Sequence, residues 1–324
     1  MNKIKFFIGP MSKNVVDSVK EFSVDSGNLV GLIPSRRQVA MDGGYVNNWT
    51  TSEFADYAKG LFLTRDHGGP NQGLNIDDGY ESLKVDCNNL NMIHIDPWKA
   101  FPRFDEGLLW TLNMIRYCHE LNPKMLYEIG TEESIRKFTS QEINILIKSL
   151  KRKLTIEQFE QIKYCVIQSG TSLKENRNTG VYDKQRLFQM VQVTRDYGLL
   201  SKEHNGDYLP EELIKEKFDL GLDSINIAPE FGQLETKTYL KKIKESHQFL
   251  FNDFWQICYE SGRWKKWVND SFDPLNQKEE LVNICGHYVL SQPSFLEQIK
   301  SQLDDVDHLV RKSVKRKLEK LYGC

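Results

Sequence analysis

The sequence of 324 residues lacks any apolar run that approaches the ~20 residues needed to cross a bilayer. Its opening stretch is apolar only briefly and is broken at Gly9-Pro10, which is too soon for a signal peptide. These two absences predict a cytoplasmic protein with no membrane partner.

The sequence also lacks an excess of charge of either sign. Lys and Arg together number 43 and Asp and Glu 45, for a net charge of -2, so there is no basic footprint for nucleic acid. The last basic stretch, residues 310–318, places Val310, Val314 and Leu318 at every fourth position. This spacing predicts a helix with one buried stripe and a solvated basic face, not a nucleic-acid interface.

Paired cysteines are absent as well. The six cysteines are scattered and form no C-x-x-C pair, which argues against a zinc ribbon and against a disulfide framework. The sequence therefore predicts reduced thiols at Cys87, Cys118, Cys165, Cys258, Cys285 and Cys324.

Short apolar runs that end in Gly, Pro or polar residues recur through the first two thirds of the chain. Amphipathic segments lie between most of them, and this alternation predicts a (β/α)8 TIM barrel over residues 1–243. No further strand-like run follows, so residues 244–324 are predicted to form a C-terminal helical extension. The eight predicted strands are residues 4–9, 29–34, 61–64, 92–96, 125–130, 164–168, 198–204 and 224–228.

Polar residues gather where these predicted strands end, which is where TIM barrels carry their chemistry. Asp66-His67 follows the third strand and His204 ends the seventh, and two imidazoles beside a carboxylate form a common divalent-metal set, with zinc favoured. Glu128 is the predicted third ligand because a lone Glu among apolar strand residues must be paired, bound to metal or protonated. Glu132 is the next candidate, and His94 is either a ligand or an interior histidine.

Asp66 is the predicted proton-transfer group because it adjoins the proposed ligand His67; the alternative is that it caps the next helix. Glu132 and Asp96 are the further catalytic candidates. Asp96 shares a strand face with His94, so both side chains can point inward.

Seven residues are predicted to bind substrate. Arg36 and Arg37, with backbone amides near Gly206, suit a phosphate or carboxylate, although outward ion pairs are an open alternative. Lys202 is a candidate for Schiff-base chemistry or for an ion pair with a neighbouring acid. The remaining candidates are Gln38, Asn71, Asp207 and Asn226.

Five groups of residues, taken in order along the chain, resemble the Z-type subunit of class II tagatose-bisphosphate aldolase. They are Gln38-Val39 with Gly43-Gly44-Tyr45, Asp66-His67 with Gly69-Pro70-Asn71, Ile93-His94-Ile95-Asp96, Ile129-Gly130-Thr131-Glu132, and His204 with Asp207-Tyr208. A further faint similarity lies at Tyr322-Gly323-Cys324. That family is a TIM barrel related to the metal-dependent ketose-bisphosphate aldolases.

The resemblance implies a sugar-phosphate site in which Asp66 matches the carboxylate before the first histidine ligand. His67 and His204 match the histidines after the third and seventh strands. It implies a divalent ion that polarises the ketose carbonyl, and a separate catalytic subunit as partner. A homo-oligomer is the alternative prediction. The predicted function is a metal-dependent sugar-phosphate aldolase; an epimerase or isomerase using the same metal site and a noncatalytic subunit remain alternatives.

Overall fold

The computed structural model describes residues 3–174 and 177–323. Its centre is a closed barrel of parallel strands in which each strand pairs with its neighbours in chain order and the first pairs with the last. The barrel strands are β1 (Phe6–Ile8), β2 (Gly31–Leu32), β3 (Phe62–Gly68), β4 (Met92–Ile95), β5 (Leu126–Ile129), β6 (Ile162–Ile167), β7 (Leu200–Glu203) and β8 (Ser224–Ile227). The predicted TIM barrel is confirmed.

The eight predicted runs fall on the eight barrel strands, and most of the strands are shorter than the runs, as with β1 and β2, but two strands extend beyond their predicted ends. Strand β3 continues past Thr64 to Gly68, and β6 begins at Ile162 rather than at Tyr164. The predictions were short at these two ends because polar or charged residues interrupt the apolar pattern there, although backbone pairing continues. An additional antiparallel pair, Leu173–Lys174 with Arg177–Asn178, lies in the loop after β6.

Helices surround the barrel and continue after it. Capping boxes begin three of them, where Thr50, Thr139 and Thr155 each accept a backbone N–H and the residue three positions on returns a bond. The helices are α1 (Lys13–Ser26), α2 (Thr51–Tyr57), α3 (Tyr80–Asn89), α4 (Phe104–Leu121), α5 (Ser140–Lys153), α6 (Ile156–Glu160), α7 (Lys184–Asp196), α8 (Glu211–Asp219), α9 (Pro229–Ser246), α10 (Leu250–Glu260), α11 (Lys278–Cys285), α12 (Pro293–Gln298) and α13 (Val306–Tyr322).

The C-terminal helices pack back onto the barrel. Helix α13 lies against α1 and α9, and Val310, Val314 and Leu318 are all buried, so the predicted apolar stripe is confirmed. Short 3-10 helices at Arg263–Lys266, Gly286–Tyr288 and Lys300–Gln302 connect the longer ones. The predicted domain boundary at residue 244 falls in the last turn of α9, and the division into two domains stays a prediction.

The barrel interior contains a small apolar cluster, and polar side chains lie at the carboxyl ends of the strands. Ile4, Phe7, Ile33, Met92 and Tyr164 form a small cluster inside the barrel, separate from the larger core between strands and helices. The rings of Phe7 and Tyr164 meet edge to face with centroids 5.8 Å apart. This apolar cluster fills part of the barrel interior near the amino ends of the strands.

Two sequence predictions concern cysteines and membrane spans. Cys87, Cys118, Cys165, Cys258 and Cys285 are buried and form no disulfide, whereas Cys324 lies outside the described residues. In the part of the chain that the structure describes, no helix combines the length and apolarity needed to span a bilayer.

A buried ion pair outside the barrel fixes the loop after β2. Arg65 of β3 donates to both carboxylate oxygens of Asp86, at 2.9 and 2.7 Å, and to the carbonyls of Pro34 and Val39. Neither charged side chain is exposed. The guanidinium therefore joins β3, α3 and the loop that carries Arg37.

We expect Arg65→Met to lower the free energy of unfolding by about 3–5 kcal/mol, because it leaves the Asp86 carboxylate buried without its partner. Urea unfolding followed by circular dichroism measures the change. The control is Lys215→Ala, which removes a solvent-exposed ion pair with Asp219 and should cost at most about 1 kcal/mol. Equal stability of the two variants would contradict the role given to Arg65.

Candidate metal centre

Four potential metal ligands meet at the carboxyl ends of β3, β4 and β7. Asp66 and His67 belong to β3, His94 lies in β4, and His204 directly follows β7. One ligand atom from each residue lies within 4.8 Å of the ligand atoms of the other three. Parallel barrel strands end at the same rim, which explains how residues so distant in sequence converge.

A break in strand pairing lets two neighbouring residues reach this cluster. Consecutive strand residues normally point to opposite faces, but the register between β3 and β4 shifts between Arg65 and Gly68. His67 has a φ of 49°, in the left-handed region that non-glycine residues seldom adopt. The irregular backbone therefore brings both Asp66 and His67 to the metal cluster, and such strain is typical of functional sites.

Each histidine in the cluster is oriented by a hydrogen bond through its other ring nitrogen. His67 Nδ1 lies 2.6 Å from Asp96 Oδ2, and His94 Nε2 lies 2.9 Å from the Gly130 carbonyl. His204 Nε2 lies 2.7 Å from Glu128 Oε1. These contacts direct His67 Nε2, His94 Nδ1 and His204 Nδ1 toward one another, which is the arrangement of metal-binding imidazoles.

Asp66 completes the donor set. Its Oδ1 lies 3.8 Å from His67 Nε2 and 3.7 Å from His204 Nδ1, and this buried oxygen has no hydrogen-bond partner among the described residues. A buried carboxylate oxygen without a partner is costly. Three imidazole nitrogens and one carboxylate oxygen are a donor set that suits a divalent transition metal, so the residues present fit such an ion.

The carboxylates around His67 favour its charged form when no metal neutralises them. Burial alone would lower the pKa of His67, but Asp66, Asp96 and Glu132 raise it to about 10. Burial, in contrast, lowers the pKa of His94, so this ring is neutral and its Nδ1 accepts the backbone N–H of His67 at 3.3 Å. A divalent cation would take the place of the proton on His67 in neutralising the surrounding acids.

Glu128, the predicted third ligand, occupies a different position from the one expected. Its two oxygens contact His204 and Lys202, at 2.7 and 2.6 Å, and it lies outside the group of four ligand atoms. Although burial opposes ionisation, the Lys202 ammonium and His204 hold the pKa of Glu128 well below its usual range. The histidine that sequence reasoning left as an alternative, His94, joins the cluster instead.

Lys202 is not placed to contact a substrate. It is fully buried in the ion pair with Glu128, and its Nζ lies 3.7 Å from the centre of the Phe7 ring. Of the alternatives stated from the sequence, the structure shows the ion pair with a neighbouring acid.

Among the remaining catalytic candidates, Asp96 and Glu132 both flank the metal cluster. Asp96 is buried and also accepts a hydrogen bond from Thr131 Oγ1 at 3.0 Å. Glu132 Oε2 lies 3.9 Å from His67 Nε2 and accepts a hydrogen bond of 2.6 Å from Asn205. The structure thus brings all three catalytic candidates to one place, with Asp96 acting on His67 rather than facing the cavity.

Two predicted substrate-binding residues line the cavity above the cluster and two others hold loops. Arg37 and Gln38 line it, and Ser35 N–H donates to Gln38 Oε1 at 2.8 Å. Arg36 instead is buried in an ion pair with Asp77 and donates to the Gly69 carbonyl, because the loop after β3 supplies an acceptor that the sequence pattern does not reveal. Asn71 closes the same loop, its Oδ1 accepting from the Asp77 N–H.

Asp207 and Asn226 lie beside the start of α9. Asp207 Oδ1 accepts the backbone N–H groups of Ala228 and Glu230, at 3.0 and 2.8 Å, so it caps that helix. Burial and the nearby Glu230 raise the pKa of Asp207 to about 8. Asn226 is buried on β8, and its Oδ1 has no partner in the described parts of the chain.

The cavity above the metal cluster has a volume of about 360 Å³ and is built from the barrel and the C-terminal helices together. Asp66, His67 and Glu132 line it from the barrel, and Lys266 and His287 line it from the segment after α10. Sequence reasoning missed these last two, because strand-end rules apply only to the barrel and no local pattern shows which helical residues fold over its mouth.

Comparisons with known proteins support the fold. No protein-family model matches the sequence, and no curated protein matches it. A solved structure described as a probable tagatose 6 phosphate kinase from Sinorhizobium meliloti is similar over 99% of this chain and 100% of its own, with a TM-score of 0.80 at 14% identity.

Two aldolases have the same fold at lower similarity. The YdjI aldolase from Escherichia coli aligns with a TM-score of 0.57 at 14% identity, and a fructose-bisphosphate aldolase from Campylobacter jejuni with 0.57 at 11%. Each alignment covers 99% of this chain and 90% of the other. At the level of the fold, these neighbours confirm the resemblance to the class II aldolases.

We expect His94→Ala and His204→Ala each to abolish tight binding of a divalent metal, because each removes one imidazole from the donor set. Metal content after dialysis, measured by mass spectrometry, tests this. The control is His119→Ala, which removes a histidine on α4 that is hydrogen-bonded to Gln161 and should leave metal content unchanged. Full metal occupancy in both cluster variants would show that the ion binds elsewhere or not at all.

Proposed function

We propose that this protein is a metal-dependent sugar-phosphate lyase of the class II aldolase type, with zinc as its ion. The observation that carries the proposal is the set of three imidazoles, each held through its second nitrogen, that meets a carboxylate oxygen without a partner. A structural barrel has no need for this arrangement, since unneutralised buried acids and unpaired polar atoms both cost stability.

His67, His94 and His204 would hold the ion, and Asp96 and Glu128 would keep two of these rings in place. When bound, a divalent ion supplies a Lewis acid that polarises a ketose carbonyl and stabilises the charge of the resulting enediolate. Three histidine ligands with the fourth tetrahedral position left open are a known arrangement of catalytic zinc sites, and they leave Asp66 available for proton transfer.

Asp66 is proposed to move the proton. Its Oδ1 is free of hydrogen bonds to the described residues and faces the metal ligands, and the residue lines the cavity. A substrate hydroxyl in the cavity can therefore reach this oxygen without displacing a protein donor. In retro-aldol cleavage Asp66 would accept the proton of the hydroxyl at C4 as the neighbouring carbon–carbon bond breaks.

Glu132 is the second acidic group in the cavity. Asn205 and Ser134 each donate a hydrogen bond to it, so its carboxylate is fixed 3.9 Å from His67 Nε2. We assign Glu132 to hydrogen bonding with substrate hydroxyls or to the return of the proton to the enediolate.

The epimerase alternative uses the same residues. Cleavage followed by rebonding on the other face of the carbonyl would give an epimer rather than two fragments, so the assay must follow both products. Activity without added protein also distinguishes an enzyme from an accessory subunit of a catalytic aldolase. We further propose a cytoplasmic chain that forms a homo-oligomer or a complex with such a subunit, with residues 244–324 as an extension of the barrel.

The proposal predicts that Asp66→Asn lowers turnover of a ketose phosphate by about 10²–10⁴-fold, because the amide cannot accept the proton. The metal should remain bound, since the three imidazoles are untouched. Turnover, metal content and melting temperature are measured together, with Asp270→Asn at an exposed position as the control.

Two results would contradict the assignment of Asp66. Near-normal turnover would remove it from proton transfer, and loss of metal in Asp66→Asn would make it a required ligand instead. The absence of both cleavage and epimerisation in the metal-loaded wild-type chain would contradict the enzymatic proposal itself.

A further inference from the structure

Three cations and one buried histidine lie together around the cavity that contains Asp66 and His67. Arg37 follows β2, and Lys99 follows β4. Lys266 ends the 3-10 helix after α10, and His287 lies in the 3-10 helix that follows α11. We call Arg37, Lys99, Lys266 and His287 the basic wall.

The three cations of the basic wall have no acidic partner. Within residues 3–174 and 177–323, no carboxylate lies within ion-pair distance of Arg37, Lys99 or Lys266. Arg37 Nε donates to the Gly73 carbonyl at 3.3 Å, and Lys99 Nζ donates to the Asn71 carbonyl at 2.9 Å. Lys266 Nζ lies over the rings of Trp267 and Tyr288, at 4.5 and 4.9 Å.

The positive charges of Arg37, Lys99 and Lys266 repel one another when no anion lies between them. Although the side chains of Lys99 and Lys266 are exposed, partial desolvation by neighbouring groups, followed by repulsion from Arg37 and Arg263, lowers the pKa of Lys266. The pKa of Lys99 is lowered by the same two effects, with Arg37 again the repelling charge. An anion between these side chains would relieve the repulsion.

His287 supplies the second, independent observation. Its side chain is 2% exposed, it lines the cavity, and neither ring nitrogen has a hydrogen-bond partner among the described residues. Burial, and then the charge of Lys266, lowers its pKa to about 3, so the ring is neutral and offers one donor and one acceptor. Burying two polar atoms without partners is costly unless a ligand in the cavity satisfies one of them.

The position of His287 is fixed by close packing against α9. A methyl group built at Gly232 would lie 2.7 Å from the Cβ atom of His287, so the two backbones approach as closely as a glycine allows. The backbone that carries this ring is therefore held closely against α9, beside the cavity.

We propose that the basic wall binds the phosphate group of the substrate, and this proposal rests on the proposed function of the cavity. A phosphate monoester carries up to two charges and three acceptor oxygens, which match three cations and an imidazole N–H better than the single charge of a carboxylate does. The helical segment after α10 thereby completes the substrate site of the barrel. Of the predicted pair, the proposal keeps Arg37 and leaves out Arg36, which is paired with Asp77.

Calorimetric titration of the full, metal-free chain with inorganic phosphate tests the proposal. The wild-type chain should bind phosphate, and Lys266→Met and His287→Phe should each weaken binding by about tenfold or more, since a charge-assisted or buried hydrogen bond is lost. Lys265→Met, which changes an exposed neighbouring lysine, is the matched control and should bind as the wild type does. Titration with gluconate, a carboxylate of similar polarity, should show weaker binding than phosphate.

Three results would overturn the proposal: no phosphate binding to the wild-type chain, equal binding by Lys266→Met and the control, or equal binding of gluconate and phosphate. Circular dichroism of each variant, and its zinc content after a separate sample is loaded with zinc, show that the fold and the metal cluster are intact. Phosphate is titrated without metal, so a chain without lyase activity could still bind phosphate. Conversely, a chain that does not bind phosphate could still bind metal at the cluster.

Discussion

The ion pair between Lys202 and Glu128 lies inside the barrel, and the geometry of the metal cluster depends on it. Both side chains are fully buried, and their charged atoms are 2.6 Å apart. Two buried charges are costly to desolvate, so such a pair is not an efficient way to stabilise a barrel. Its effect here is to keep Glu128 ionised, so that the second carboxylate oxygen accepts from His204 Nε2 and directs Nδ1 toward the other ligands.

The other two histidines are oriented in the same way. A protein acceptor binds one ring nitrogen, and the other ring nitrogen then faces the cluster. The Asp96 carboxylate orients His67 through its Nδ1, and the Gly130 carbonyl orients His94 through its Nε2, as Glu128 orients His204. The shifted register of β3 then adds Asp66 from the position next to His67. Rigid strands supply the positions, and hydrogen bonds beyond the ligands supply the orientations.

The proposed anion site combines the barrel with the chain beyond it. Arg37 comes from a loop that Arg65 holds through the Pro34 and Val39 carbonyls, whereas Lys266 and His287 come from the C-terminal helices. Under the proposed function, the metal ligands alone would accept any ketose with a suitable carbonyl. Selection for a phosphorylated substrate would therefore require the helical segment to be packed over the barrel mouth.

The sequence was sufficient to predict the barrel, because short strands and amphipathic helices alternate regularly and each must bury one face. It was also sufficient to locate Asp66, His67 and His204 at strand ends, where position along the strand implies the rim. The partners of Glu128 and Arg36 could not be predicted, since they depend on which residues face each other across the barrel or a loop.

His94 and His287 show the same difference between local pattern and tertiary contact. The strand pattern places His94 inside the barrel but does not distinguish an interior histidine from a ligand, which depends on the neighbouring strands. His287 follows a helix with no strand-end rule to mark it, and only the packing of that segment brings it to the cavity.

The most direct measurement of the metal centre is anomalous diffraction from crystals grown with zinc, recorded on both sides of the zinc absorption edge. We expect one strong difference peak about 2.0–2.1 Å from His67 Nε2, His94 Nδ1 and His204 Nδ1, the usual zinc–nitrogen distance. A zinc peak elsewhere in the chain, or crystals of the folded protein with no peak among these three nitrogens, would contradict the assignment.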